Sequence, residues 1–261
     1  MPLFDAVILG IVEGVTEFLP ISSTGHLILA NTLLGIPHTD FTKSFEIAIQ
    51  VGAMCAVVAL YLRSFFDIEI LKRLVVGFVP TAIVGFTVYP YVKAVLLGSP
   101  LVVVGALFVG GIVLIVFEML KIQPDESRAN IATMPYLHAA LIGLAQSVAV
   151  IPGVSRSGST LTAALALGFK REEAARFSFL LGIPAIALAG AKELWELHRA
   201  NLDMHGWSIL ALGLVVASIS AFAAIWMLMH VLERFSAWPF VVYRGGLGII
   251  LLLTVSRAFA V

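Results

Sequence analysis

Charge is scarce in this sequence. Lys, Arg, Asp and Glu make up only 12% of 261 residues, with sixteen basic side chains against sixteen acidic ones. That balance leaves no basic surplus to hold a nucleic acid and no acidic tail. Cysteine is almost missing too. The single Cys55 has no partner for a disulfide within the chain, and its place midway along an apolar segment reads as a small core residue. Also missing is the basic flank and uninterrupted apolar stretch of a cleavable signal peptide, because the N-terminal apolar run carries Asp5, Glu13 and Glu17 and so belongs to the mature protein. What the sequence does have is hydrophobicity, at 60% of residues and a mean hydropathy of +1.04. Those values lie far outside the soluble globular range and define a polytopic, all-α integral membrane protein.

Six stretches approach the roughly 20 apolar residues that a bilayer crossing needs: Phe45 to Leu62, Leu74 to Val92, Leu101 to Leu120, Phe177 to Trp195, Trp207 to Val231 and Phe240 to Phe259. Two further apolar stretches are broken by polar knots. Ala6 to Leu19 and Leu27 to Leu34 flank the first knot, and Tyr136 to Ile151 and Leu161 to Phe169 flank the second. Each arm is too short to span, so residues 6–36 and 136–169 are expected to be re-entrant helix hairpins with their polar loops near mid-membrane. The halves repeat: Pro20, Ser23 and Phe45 match Pro152, Ser155 and Phe177 at one common shift, and Gly10 matches Gly143 after a one-residue gap. The pairs Gly110-Gly111 and Gly245-Gly246 match as well. A single domain of two halves, residues 1–130 and 131–261, follows. Each half is one hairpin plus three spans. An odd number of spans makes the second half enter from the opposite side, which is an inverted-topology repeat.

Basic residues set the orientation. With the first hairpin opening on one side, Lys43, Lys93, Lys192, Arg199 and Arg257 fall on that side. Arg63, Lys72, Arg73, Lys121, Arg128, Lys170, Arg171, Arg176, Arg234 and Arg244 fall on or near the other, and Arg156 lies in the site. The richer side is the cytoplasmic one, which puts both termini and the first hairpin's mouth outside.

The chemistry is concentrated in EGVTEFLPISSTGH, residues 13–26, and PGVSRSGST, residues 152–160. Ionisable groups at membrane depth are costly and mark function by default. Glu13 and Glu17 are one helical turn apart, so their carboxylates project from one face. Two like charges in low dielectric call for a cation, and a divalent one such as Mg²⁺ or Ca²⁺ is the natural third partner; a protonated, hydrogen-bonded pair facing a neighbouring helix is the alternative. Ser22, Ser23, Thr24 and Gly25 open a short helix and offer donors to an anion. His26 is a general acid/base or a nucleophile. Helix capping accounts for the serines but not for the histidine. In the second knot Arg156 suits a tetrahedral phosphate, or else pairs with Glu13 or Glu17. Ser155, Ser157 and Thr160 add hydroxyls, and Gly153 lets backbone approach the ligand. Among the remaining polar residues, Gln146 matches Glu13 in the repeat and is expected to line the same cavity. His138, His198, His205 and His230 lack spaced acidic or thiol partners and read as packing residues at the membrane interfaces.

Together with FSFLLGIP, residues 177–184, these motifs resemble the bacterial undecaprenyl-diphosphate phosphatases, the bacitracin-resistance proteins, over the whole chain. The resemblance implies hydrolysis of undecaprenyl diphosphate to undecaprenyl phosphate and inorganic phosphate in the bacterial inner membrane, with dependence on a divalent cation. Carried over, Glu13 and Glu17 form the acidic motif, Ser23 and His26 the catalytic loop and Arg156 the phosphate clamp. Partners are then the lipid substrate and the bilayer, with no nucleic acid; the oligomeric state is left open by the sequence, a homodimer being one option. Phosphatidic-acid-type lipid phosphatases need a further histidine six residues after the arginine, where this chain has Thr162. From another class, paired hairpins are also transporter architecture, so a flippase for a polyprenyl phosphate is the competing reading.

Overall fold

The computed structural model describes residues 1–37, 39–96, 100–120, 130–232 and 238–258, and among these it contains ten α-helices and no β-strand. In chain order the helices are α1 (Leu3–Thr16), α2 (Ser23–Leu34), α3 (Asp40–Leu60), α4 (Ile68–Val95), α5 (Pro100–Met119), α6 (Tyr136–Ser147), α7 (Arg156–Ala166), α8 (Arg171–Arg199), α9 (Met204–Leu232) and α10 (Trp238–Ala258). Five are long and apolar enough to cross a membrane: α3, α8, and the greater part of α4, α5 and α9. The molecule is thus an all-helical, multi-pass membrane protein. The sixth expected span corresponds to α10, whose described apolar run, Trp238–Thr254, is shorter. The expected end of that span, Phe259, and the counted charges Lys121, Arg128 and Arg234 lie outside the described residues.

Local chemistry sets the helix ends. Thr39 caps α3 by accepting from the Thr42 N–H at 3.1 Å, and Asp67 caps α4 by accepting from Glu69 and Ile70 at 2.9 and 3.3 Å. Gly35, at φ +65°, ends α2 in the left-handed conformation that glycine adopts without strain. Helices α1 and α2, of 14 and 12 residues, reach only about 21 and 18 Å at a rise near 1.5 Å per residue, short of a roughly 30 Å hydrocarbon core. Helices α6 and α7, of 12 and 11 residues, are as short. Each short pair is joined by a short connection, residues 17–22 and 148–155, and packed on itself.

Helix α1 lies on α9, α6 on α4, α3 between α8 and α9, and α5 on α10. Lipid tails are as apolar as leucine, so such helices associate through close backbone approach at small residues. A Cβ on Gly14 would sit 2.4 Å from the Ala217 carbonyl of α9, and one on Gly143 only 1.7 Å from the Gly77 carbonyl of α4. Gly143→Ala should therefore force α6 off α4 and break the 2.9 Å hydrogen bond from Thr81 to the Gly143 carbonyl. The expected loss is about 1–3 kcal/mol of stability, the usual range for overpacking. Thermal unfolding in detergent measures it, and an unchanged midpoint would show that the two helices separate freely.

Apolar character alone misplaces Cys55, which is exposed on α3 and not in the core. At this depth the surroundings of the protein are also apolar, so hydrophobicity does not tell core from lipid-facing surface.

Candidate active site

Both polar knots are helix N-termini. Helix α2 begins at Ser23, four residues before the expected Leu27, so Ser23 and His26 occupy its first turn. Ser22, just before it, has φ +69°, an uncommon conformation for a non-glycine residue. Its carbonyl meets His26 Nδ1 at 2.7 Å. In the second knot Ser155 caps α7, its Oγ accepting from the Gly158 N–H at 3.0 Å, and Arg156 is the first helical residue. First-turn N–H groups have no partner within their own helix, so a helix start suits an anion.

Glu17 joins the two knots. Ser23 Oγ donates to its Oε2 at 2.6 Å, and Arg156 Nη2 donates to its Oε1 at 2.9 Å. This ion pair is largely shielded, with the side chains of Arg156 and Glu17 12% and 8% exposed, which makes the charge-assisted contact a strong one. Helix α8 seats the guanidinium. Arg156 Nη1 donates to the Ser178 carbonyl at 3.2 Å, Cζ lies 5.7 Å from the Phe18 ring centroid, and a Cβ on Gly182 would come within 1.9 Å of Nη1. The FSFLLGIP segment therefore forms the arginine's socket. Beside it lies a cavity of about 270 Å³ lined by Glu17, Ser22, Ser23, Thr24, Ser155 and Arg156, with Gln50, Thr81 and Gln146 on its walls. Gln146 lines this cavity, although Glu13, its match in the repeat, does not.

Other sequence-derived residues are used differently. Ser157 Oγ donates to the Leu19 carbonyl at 2.8 Å, tying the second knot to the first. Thr160 is fully buried and bonds to Ser178 and to the Arg156 carbonyl, the latter at 2.9 Å. Gly153, at φ +90°, makes its close approach to Val103 of α5, where a Cβ would come within 2.7 Å of backbone. Neither Gly153, Ser157 nor Thr160 lines the cavity. All three build the wall behind it.

Glu13 and His26 also sit outside the lining. Glu13 is fully buried, and no donor reaches its carboxylate oxygens among the described residues, while the Glu17 carboxyl lies within reach of it. Two adjacent carboxyl groups in this setting fit either a proton shared between them or a hard divalent cation that takes one or two carboxylates and completes its shell with water and phosphate oxygens. Among the described residues no three His, Cys, Asp or Glu side chains gather into a metal cage. His26 meets the Tyr243 hydroxyl through Nε2 at 2.8 Å, with the two rings 6° from parallel.

Helix α10 supplies two groups that the motifs did not reveal, Tyr243 and its neighbour Arg244. Arg244 belongs to the interior and not to a cytoplasmic loop. It is 2% exposed, and it donates to the Pro20 carbonyl at 3.2 Å and the Ala106 carbonyl at 3.4 Å. Its place four residues into the expected span was the available signal, since an arginine there needs an internal partner.

Fold and site together define a polytopic membrane protein with an acid, a serine and an arginine gathered on one internal cavity. The pattern of bacitracin resistance protein BacA matches residues 6–250, and the chain belongs to that family. It is 49% identical to undecaprenyl-diphosphatase 2 of Mesorhizobium japonicum, over 95% of this chain and 99% of that one. It is 45% identical to the undecaprenyl-diphosphatase of Sulfurihydrogenibium sp., over 96% and 98%, and 45% to that of Aquifex aeolicus, over 96% and 97%.

Proposed function

We propose that this chain hydrolyses undecaprenyl diphosphate to undecaprenyl phosphate and inorganic phosphate, recycling the lipid carrier of cell-wall synthesis and conferring bacitracin resistance. The observation that carries the reading is Glu17 held between Ser23 and Arg156. Phosphoryl transfer is chiefly positioning and charge neutralisation. Arg156 and the first-turn N–H groups of α2 and α7 hold the terminal phosphate. Ser23 attacks its phosphorus, the bond to the bridging oxygen breaks, undecaprenyl phosphate leaves, and Glu17 takes the serine proton. Water then hydrolyses the phosphoserine and releases phosphate. A divalent cation held by Glu13 and Glu17 supplies further neutralisation of phosphate charge when bound. Between the two candidate nucleophiles the geometry favours Ser23, whose hydroxyl has a base in contact, over His26, whose Nε2 is engaged with Tyr243. Purified protein should release phosphate from a long-chain prenyl diphosphate, and acid quench should trap phosphoserine at position 23. Transport in sealed vesicles without phosphate release would replace this reading with the flippase.

The inverted repeat, with residues 6–36 and 136–169 as re-entrant hairpins, is part of the same proposal. Its support is the exchange of partners between halves. Gly10 of α1 approaches Gly213 of α9, with 2.9 Å from its would-be Cβ to the carbonyl, as Gly143 of α6 approaches Gly77 of α4. The catalytic cavity then opens to the periplasmic or outer face of the inner membrane, where the diphosphate is left after glycan transfer. In a Cys55→Ala background, an impermeant thiol reagent should label Asp40→Cys, at the start of α3, and spare Lys72→Cys, near the start of α4. The reverse pattern would move the chemistry to the cytoplasm. Cross-linking in native membranes tests the homodimer.

A further inference from the structure

The arrangement around His26 goes beyond the serine–glutamate pair. A backbone carbonyl only accepts, so the 2.7 Å contact with Ser22 requires the hydrogen on Nδ1. In the neutral ring Nε2 then carries the lone pair, and its 2.8 Å partner, the Tyr243 hydroxyl, must be the donor. The two rings are also nearly parallel, with centroids 5.5 Å apart, as a hydrogen bond directed along the in-plane lone pair of Nε2 allows. His26 has no hydrogen bond to Ser23 or Glu17 among those described; its two nitrogens are committed to the Ser22 carbonyl and the Tyr243 hydroxyl.

Tyr243 is itself well placed for such a duty. Its neighbour Arg244 points inward and anchors α10 to the Pro20 carbonyl, in the turn that carries the first knot. Tyr243 is 49% exposed, so the phenol is held by its contact with His26 and is not buried in the core.

We propose that Tyr243 is a positioning residue for the hydrolysis: its hydroxyl donates to Nε2 and, with the Ser22 carbonyl on Nδ1, holds the His26 ring in one orientation in the first turn of α2, beside Ser23. The proposal rests on the phosphatase reading for its kinetic consequences, but its structural content can be measured without turnover. No covalent step is assigned to the tyrosine.

Two measurements test it. In ¹⁵N-histidine-labelled wild-type protein, with the His26 signals identified by their loss in His26→Gln, the neutral ring should carry its proton on Nδ1. A neutral ring protonated on Nε2 would overturn the proposal whether or not the protein is a phosphatase. In steady-state hydrolysis of a prenyl diphosphate, Tyr243→Phe keeps the stacked ring and loses only the hydroxyl. It should lower kcat about 10- to 100-fold, at or below the usual range for a general acid/base contribution, with KM changed less than about twofold, because uniform substrate binding is untouched. In the His26→Gln background the same change should add no further loss, since coupled residues are non-additive. Wild-type kcat in Tyr243→Phe, or an equal loss in both backgrounds, would show that the phenol does not act through His26.

Discussion

Glu17→Gln should lower kcat about 10³-fold, within the range for loss of a positioned base, while KM for a long-chain prenyl diphosphate changes little. The carboxylate meets two donors at once, Ser23 at 2.6 Å and Arg156 at 2.9 Å. An amide of the same shape presents one oxygen and one NH₂, so it satisfies one of those donors and opposes the other. It also takes no proton from Ser23 and leaves the shielded guanidinium without its counter-charge, a costly state for a buried ion. The polyprenyl tail binds elsewhere, so the effect falls on turnover, as for an interaction made in the transition state. Wild-type turnover in Glu17→Gln would remove Glu17 from the chemistry and with it the assignment of Ser23 as nucleophile.

The two knots were legible in the sequence because charge is scarce and each knot interrupts an apolar run. Glu13, Glu17, His26 and Arg156 stand out against such a background whatever the fold. The pairing of Arg156 with Glu17 was foreseen as one of two alternatives, and the cavity joins them, since Arg156 lines it while holding Glu17. Helix boundaries were less legible. A count of apolar residues starts α2 at Leu27 and α7 at Leu161, whereas the serines before them cap or open each helix, and capping satisfies backbone N–H groups that hydropathy does not register. The contribution of α10 was hidden for a different reason. Tyr243 and Arg244 reach the first knot from more than two hundred residues away in sequence, and without a pairing partner in the motif the arginine was read as a loop charge. The hydroxyls of the second knot could not be told apart by sequence: Ser155 lines the cavity, and Ser157 and Thr160 stand behind it. Ser157 and Thr160 look identical in sequence to phosphate donors, yet the backbone carbonyls of Leu19 and Arg156 already hold them.

Arg156→Lys should reduce kcat/KM by about 10²-fold or more, the scale for removal of one preorganised donor at developing charge. The ammonium keeps the positive charge but loses the planar fork that now spans Glu17 and the Ser178 carbonyl through separate nitrogens. The glycine of its socket provides an independent test that leaves every reacting group chemically unchanged. A Cβ at position 182 would lie 1.9 Å from Arg156 Nη1 and 2.4 Å from Cζ. The obstructed atoms are the far end of a flexible side chain, so the helices need not move, and the guanidinium swings out of its seat. Gly182→Ala should therefore keep a near-wild-type melting temperature while its activity falls toward that of Arg156→Lys. In the Arg156→Lys background it should add little, because both changes remove the same contact. Full activity in Gly182→Ala would mean that the guanidinium works equally well from another position, and that its charge matters more than its placement by α8.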